Sequence, residues 1–187
     1  MVLERTTDIK LPLICTFTGK RFNPLDPDPE LIDIEDIAHG LSNVCRYGGQ
    51  CKEFFSVAQH STLVAASILR DNGSWDEAKW GLLHDAPEAY IGDIVAPLKV
   101  QEEYTFYREA EDNLMEAIAE RFGLVSPMPE IVKKHDLIVR ETEMRDFGSV
   151  PKELRGHYDV LPGRITPKIP SVAKREYIWA FEELFDQ

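Results

Sequence analysis

The histidines of the chain stand at positions 39, 60, 84, 135 and 157, and three of them keep company that suggests chemistry. His60 shares a helical stripe with Val57, Val64 and Ile68, at −3, +4 and +8, so it points with them toward a core. His84 is followed by Asp85, which lies on the stripe of Ala78 and Leu82. A carboxylate aimed inward costs several kcal/mol unless a cation meets it. Asp136 repeats that situation between Val132 and Val139 on a different segment, with His135 before it. His60, His84, Asp85 and Asp136 thus offer two imidazoles and two carboxylates from three segments. Mixed N/O donors without a thiolate suit a divalent ion such as Mn, Fe, Co, Ni, Zn or Mg. An ion so held, with positions left for water, lowers the pKa of that water and polarises a phosphoryl oxygen.

Plainer readings stand beside these. His60 as a core histidine bonded to a carbonyl satisfies the same stripe. His84 and Asp85 fit a frayed helix end with solvated acids. His135, off the apolar face that Asp136 shares, reads as a flank residue. His39, Ser42, Asn43 and Arg46 fall at 0, +3, +4 and +7 on one helix, a polar face that is either solvated or substrate-lining. Arg46 offers a planar fork for phosphate oxygens, and Lys99 a point charge. Lys20, Arg21, Lys52, Lys133 and Arg140 are further cations, each individually a surface charge unless the fold clusters them.

The elements that must position these groups are mostly helical. Residues 15–22 alternate Thr and Phe around Gly19-Lys20, which suits a small hairpin. Residues 23–30 (NPLDPDPE) are a loop, because a residue before proline is pushed out of the helical region. Asp33 caps a helix predicted over 34 to about 47, stopped by Gly48-Gly49. Ser56 with Gln59 opens a helix over 57 to about 72, and Ser74 with Glu77 opens another through Leu83. Pro87 has no N–H for the carbonyl of Leu83, so that helix kinks or ends there. A long helical pattern runs from Pro97 to Phe122 with Gly123 as its stop, and Pro129 suits the first turn of a helix to about 147. A loop or short ribbon over 156–170 precedes a last amphipathic helix over 173–185. The expected class is all-α, one domain over 1–187, with its core over about 16–147 and a C-terminal loop and helix over 148–187.

Composition sets the outer bounds. The chain has 187 residues, 43% hydrophobic and 29% charged, which describes a globular domain. Twenty-one basic residues face 33 acidic ones, for a net charge of −12, which repels nucleic acid and anionic lipid at long range. Neither partner is expected. A small phosphorylated substrate is compatible, since a few local cations outweigh a distant average inside a cleft. No apolar run approaches membrane-spanning length, and the first residues show no signal-peptide pattern. Three cysteines without a CxxC pair point to reduced thiols and a cytoplasmic location.

The order His60, His84-Asp85, Asp136 resembles the signature of the HD-domain metal-dependent phosphohydrolases. The specific part is HDAPEAYIGDIVAPLK, residues 84–99. It is similar to the HD, E, D, K pattern of the small members that act on deoxynucleotides: bacterial 5′-deoxynucleotidases, nucleotide phosphohydrolases of antibiotic biosynthesis, and phage dATP triphosphohydrolases. Residues 16–61 look most like the phage-type members. The resemblance implies an HD-type helical bundle, with His60, His84, Asp85 and Asp136 holding one divalent ion (Zn, Co, Mn, Mg or Ni) and additional ions arriving with the phosphates. It implies catalytic roles for Glu88 and Asp93, both beside the metal, and phosphate contacts from Arg46 and Lys99. His39, Asn43 and Tyr47 are the remaining expected substrate contacts; relatives often carry Trp where Tyr47 stands. The implied substrate is a nucleotide. A (d)NTP cleaved to nucleoside and tripolyphosphate, with dATP favoured, competes with a monophosphate cleaved to orthophosphate. The resemblance also implies a homo-oligomer, dimer to hexamer, in a bacterial or phage-infected cytoplasm, with residues 100–121 as the candidate interface.

Two rivals remain. A phosphodiesterase or guanosine-polyphosphate hydrolase would use the same metal centre with a different pocket. A non-enzymatic binding module would show nucleotide affinity without turnover, although pure phosphate binding does not call for added acids such as Glu88 and Asp93.

Overall fold

The computed structural model describes residues 13–148 and 159–186; His157 and the start of the loop expected over 156–170 lie outside them. Strands β1 (Ile14–Cys15) and β2 (Arg21–Phe22) pair antiparallel, with Ile14 opposite Phe22. Everything else of regular structure among the described residues is helical: α1 (Ile34–Asn43), α2 (Val57–Arg70), α3 (Trp75–Leu83), α4 (Glu88–Ile91), α5 (Ala96–Lys99), α6 (Thr105–Phe122), α7 (Glu130–Asp146) and α8 (Pro170–Phe185), with short 3₁₀ turns between some of them. The fold is all-α with a small N-terminal hairpin, as the sequence predicts.

Capping decides where the site-bearing helices begin. The Ser56 side chain accepts from the Gln59 amide at 3.2 Å, which starts α2 at Val57, three residues before His60. Ser74 and Glu77 bond reciprocally at the start of α3. Pro87 acts as expected. The carbonyl of Leu83, which a Pro87 N–H cannot reach, instead accepts from Ala86 at 2.9 Å, and the chain turns. His84 and Asp85 therefore stand on the last helical turn and its bend, not on a helix shaft.

Helix α2 runs through the centre, packed against α1, α3, α7 and α8. Its contact with α3 is close because Gly81 has no side chain. A Cβ there would sit 2.7 Å from Ile68 Cδ1 and 3.2 Å from Ala65 Cα. One apolar cluster includes Ile37, Leu41, Val64, Ile68, Leu82, Leu114, Ile118, Val139 and Tyr177. The buried Tyr177 hydroxyl donates to the Leu82 carbonyl at 2.9 Å, tying α8 to α3 just before the His84-Asp85 bend. On α6, Ala110, Leu114, Ala117 and Ile118 are buried, so that stripe belongs mainly to the core; Phe106 stays exposed. No helix among the described residues is long and apolar enough to cross a membrane.

Helix α8 begins at Pro170, three residues before the expected start at Ala173, and two other boundaries differ in ways that bear on the site. Helix α1 ends at Asn43 rather than near Tyr47. Val44 is extended, its carbonyl accepts from Val57 at 3.1 Å, and the Arg46 amide donates to the Phe55 carbonyl at 2.9 Å. Pairing with the entry to α2 thus outcompetes one more helical turn. The single polar face of His39, Ser42, Asn43 and Arg46 is broken as a result. The pattern from Pro97 to Phe122 is also not one helix: Val100 and Gln101 separate α5 from a 3₁₀ turn at Glu102–Tyr104 and α6.

Candidate metal centre and the cavity above it

His60 and His84 are both held with Nε2 free. His60 Nδ1 lies 2.6 Å from Glu143 Oε1, and His84 Nδ1 lies 2.9 Å from the Gly81 carbonyl. Each partner is an acceptor, so each ring places its proton on Nδ1 and leaves the Nε2 lone pair facing away. Both Nε2 atoms are buried and lack a hydrogen-bond partner. A buried imidazole nitrogen left without a partner is costly unless something else meets it. Asp85 Oδ2 lies 3.3 Å from His84 Nε2 and 3.7 Å from His60 Nε2. Asp136 Oδ1 comes from α7 to 3.2 Å from His60 Nε2.

These separations fit a cation. Metal bonds of about 2.1 Å place adjacent donors about 3.0 Å apart in an octahedron and about 3.4 Å apart in a tetrahedron. One donor atom from each of His60, His84 and Asp85 lies within 4.8 Å of the other two, and Asp136 joins from the His60 side. His60, His84, Asp85 and Asp136 are the residues that would hold the ion. The bond from each Nδ1 to an acceptor is the support that metal-binding histidines require.

Charges around the centre are strongly coupled. Burial pushes the Asp85 carboxyl up, but His84, then His60 and Arg46, hold it well below the usual carboxylate range. Burial and Arg46 lower His60; Glu143 and Asp136 outweigh them and raise it to about 9. A bound cation would displace that proton. Asp136 is likewise held low, burial being overcome by His60 and His84.

Above the centre lies a cavity of about 500 Å³, lined by Asp85, Asp136, Arg46, Glu88, Asp93 and Lys99 among others. An apolar wall of Ile94, Val95 and Pro97 forms one side, with Tyr47 and Met144 also on the lining. Glu88 is 5% exposed, and its Oε2 has no partner. Burial first, then Asp85 and Asp93, push its carboxyl up to about 10, so it holds its proton at neutral pH. Asp93 is raised for the same first reason, burial, with Arg46 opposing. Lys99 does not reach freely into the cavity. Its Nζ lies 2.6 Å from Glu111 Oε1 and 2.5 Å from Glu111 Oε2.

Arg46 sits on the turn between α1 and α2. Its Nε donates to Glu143 at 3.2 Å and its Nη1 approaches Asp85 at 3.4 Å. Tyr47 adopts φ 59° and Gly48 φ 58°, a left-handed pair that turns the chain under the cavity. The Tyr47 hydroxyl donates to Glu143 Oε2 at 2.6 Å.

The predicted residues divide into those brought together and those left apart. Asp85, Asp136, Glu88, Asp93, Arg46, Tyr47 and Lys99 all line one cavity, His60 and His84 lie behind that lining against Asp85, and Arg140 joins the lining. His39 and Asn43 do not. His39 stacks on Phe17 with ring centroids 4.0 Å apart, beside a smaller cleft under the hairpin. Asn43 turns back to the His39 carbonyl at 2.8 Å. Breaking α1 at Val44 sends Arg46 one way and this face another. His135 needs correction from flank to core: it is fully buried, with Nδ1 2.8 Å from Ser67 Oγ. Two residues of the candidate site, Glu143 and Glu111, are absent from the sequence reading. Glu143 carries a signal, since it falls seven residues after Asp136 on the same inward stripe. Glu111 carries none that spacing reveals.

The comparisons with known proteins are informative about kinship only. No family model matches the chain. The uncharacterized protein YfdR of Escherichia coli (strain K12) is 40% identical over 138 residues, 74% of this chain and 74% of its own length. An uncharacterized protein of Rhodobacter capsulatus is 43% identical over 122 residues, 63% of this chain, and the match spans 61% of that relative. The chain belongs to the family that includes YfdR.

Proposed function

We propose that the chain is a divalent-metal-dependent phosphohydrolase acting on nucleotides. The observation that carries this reading is the pair of buried Nε2 atoms of His60 and His84, neither with a hydrogen-bond partner, set against the carboxylates of Asp85 and Asp136 at the foot of a cavity that Arg46 and Lys99 also line. The resemblance of residues 84–99 to small HD-type hydrolases supports it independently of geometry.

A divalent ion in this site supplies Lewis acidity toward a phosphoryl oxygen and a lowered pKa for water. The protein does the rest. Arg46, fixed by Glu143 and Asp85, presents its remaining guanidinium donors to phosphate oxygens. Glu88, a buried carboxyl that its surroundings push up in the metal-free protein, is the group placed to hand a proton to the departing sugar oxygen. Asp93 orients water or the sugar, and Lys99 offsets charge on the phosphate. The Ile94, Val95 and Pro97 wall suits the apolar faces of a sugar and base.

The charge lining the cavity favours a monophosphate over a triphosphate. With Glu88 protonated, Asp85, Asp93, Asp136 and Glu141 put four negative charges on the lining against three positive ones from Arg46, Lys99 and Arg140, a net of −1. One divalent ion brings that set to about +1, which offsets a larger share of the charge of a monophosphate than of a triphosphate. A triphosphate would need additional cations carried in with it. The test is incubation of manganese- or cobalt-loaded protein with nucleoside mono- and triphosphates, followed by anion analysis. Orthophosphate from monophosphates supports this reading, and tripolyphosphate supports the dNTP alternative. Nucleotide binding with no anion released from any substrate would sink the enzyme and leave a binding module.

A further inference from the structure

Glu143 is 1% exposed, and three groups from two other parts of the chain converge on it. Its two oxygens are divided between them. Oε1 meets His60 Nδ1 at 2.6 Å, on α2. Oε2 takes the Tyr47 hydroxyl at 2.6 Å and Arg46 Nε at 3.2 Å, both on the left-handed turn after α1. One oxygen therefore serves the metal side of the site, and the other serves the phosphate side.

We infer that Glu143 is a positioning residue shared by the two halves of the site, orienting His60 toward the ion and Arg46 toward the phosphate. The inference rests on the reading of His60 and Arg46 given above. It adds that neither half is set independently. His60 must donate its Nδ1 proton to Glu143 for its Nε2 lone pair to face Asp85 and Asp136. Arg46 and Tyr47 both spend a donor on the same carboxylate, which ties down a turn whose Tyr47 backbone is in a region that non-glycine residues seldom occupy.

A glutamine in this position could serve only one side. Its amide has one accepting oxygen and one donating NH₂. If the oxygen faces Arg46 and Tyr47, the NH₂ meets His60 Nδ1, which must then accept, and Nε2 carries the proton and cannot bind metal. If the oxygen faces His60, the NH₂ meets the Arg46 N–H and pushes the guanidinium away. The charged Arg46 claims the oxygen more strongly, so the metal side fails first.

The experiment is calorimetric titration of metal-free Glu143→Gln and Glu143→Ala with zinc, then titration of each zinc-saturated protein with inorganic phosphate. Glu143→Gln is expected to weaken zinc by about 10- to 100-fold, the usual cost of a lost partner to a metal-bound histidine. Glu143→Ala is expected to weaken both zinc and phosphate, the latter about tenfold, the worth of one charge-assisted hydrogen bond. A glutamine variant with both affinities within twofold of wild type would overturn the inference, as would an alanine variant that loses only one of them. Should Glu143→Ala fail to fold, Tyr47→Phe replaces it. That variant removes one donor from Oε2 alone and should weaken phosphate with zinc unchanged; no change in phosphate affinity overturns the shared role. The His60 Nδ1 proton of zinc-loaded wild type, observed by NMR, should resonate far downfield and move upfield in Glu143→Gln. None of these measurements needs turnover. A protein that binds zinc in this way but hydrolyses nothing would sink the enzyme reading and leave this one standing.

Discussion

The floor and the rim of the cavity are built on different terms. The floor is made by α2, the α3 bend and α7, and its central groups, His60 and Glu143, are sealed from solvent. Each of its charges already has an opposite: Arg46 with Glu143 and Asp85, His60 with Glu143 and Asp136. The rim is made by the four-residue helices α4 and α5 and by α6, and its groups Asp93, Lys99 and Glu111 are only partly buried. Its lysine is paired with a neighbouring acid rather than with anything in the cavity. A floor set before any ligand arrives costs no reorganisation during reaction. A rim whose ion pair can be exchanged adjusts to the ligand, with smaller effects. The two regions therefore predict effects of different size.

The largest effect comes from emptying the floor. Asp85→Ala removes the carboxylate that faces both Nε2 atoms and also one partner of Arg46. It should abolish stoichiometric zinc or manganese binding in a calorimetric titration. Turnover should fall by at least about a thousand-fold, the several kcal/mol that a metal contributes to transition-state charge. A metal-loaded Asp85→Ala enzyme with near-normal rates would remove the floor from the chemistry altogether.

Glu88 stands between floor and rim, and its substitution should pull stability and activity in opposite directions. Its folded-state carboxyl is raised from the ordinary 4.5 to about 10, burial being the leading cause. The folded protein thus binds this proton more tightly than the unfolded chain does. Glu88 favours the fold fully below about pH 4.5, and that contribution drains away as pH rises toward about 10. Glu88→Gln keeps the shape without the ionisation. In metal-free protein it should raise Tm by a few degrees at pH 8 and change little at pH 4. Turnover of the metal-loaded variant should drop by about 10²- to 10⁴-fold. Equal Tm values at pH 8 would mean that Glu88 ionises freely, and the proton-donor role would fall.

The same division explains what the sequence disclosed. The floor was legible because its residues interrupt apolar stripes: His60 between Val57 and Val64, Asp136 between Val132 and Val139. A polar residue on such a stripe has to be answered by another, and periodicity finds it. Glu143 lies on that stripe too, one heptad beyond Asp136, so the same periodicity marks it. Helix α1 was overextended because its 3.6-residue pattern continues through Val44 and Cys45. Only the pairing of residues 44–46 with 55–57 decides otherwise, and that pairing is long-range. The burial of His135 is not legible in its own helix, because its partner, Ser67, lies on another. The rim was nearly illegible. Lys99 and Glu111 are twelve residues apart across a loop and two helices, with no periodic pattern to relate them.

The smallest predicted effect, and the sharpest test of an exchangeable rim, is Glu111→Gln. In the resting protein Glu111 holds Lys99, and the pair is only partly screened from water. A phosphate entering the cavity must draw Lys99 from Glu111, or bind without it. Replacing the carboxylate by an amide removes the competing charge and leaves a group that can still accept one hydrogen bond. The pair is partly exposed, so it contributes about 1 kcal/mol at most. The phosphate-containing substrate should therefore bind up to about fivefold more tightly, seen as a lower KM with kcat little changed. Zinc affinity should not move, because Glu111 touches no group of the floor. A higher KM would mean that Glu111 aims Lys99 at the phosphate rather than competing for it, and the rim would then be as fixed as the floor.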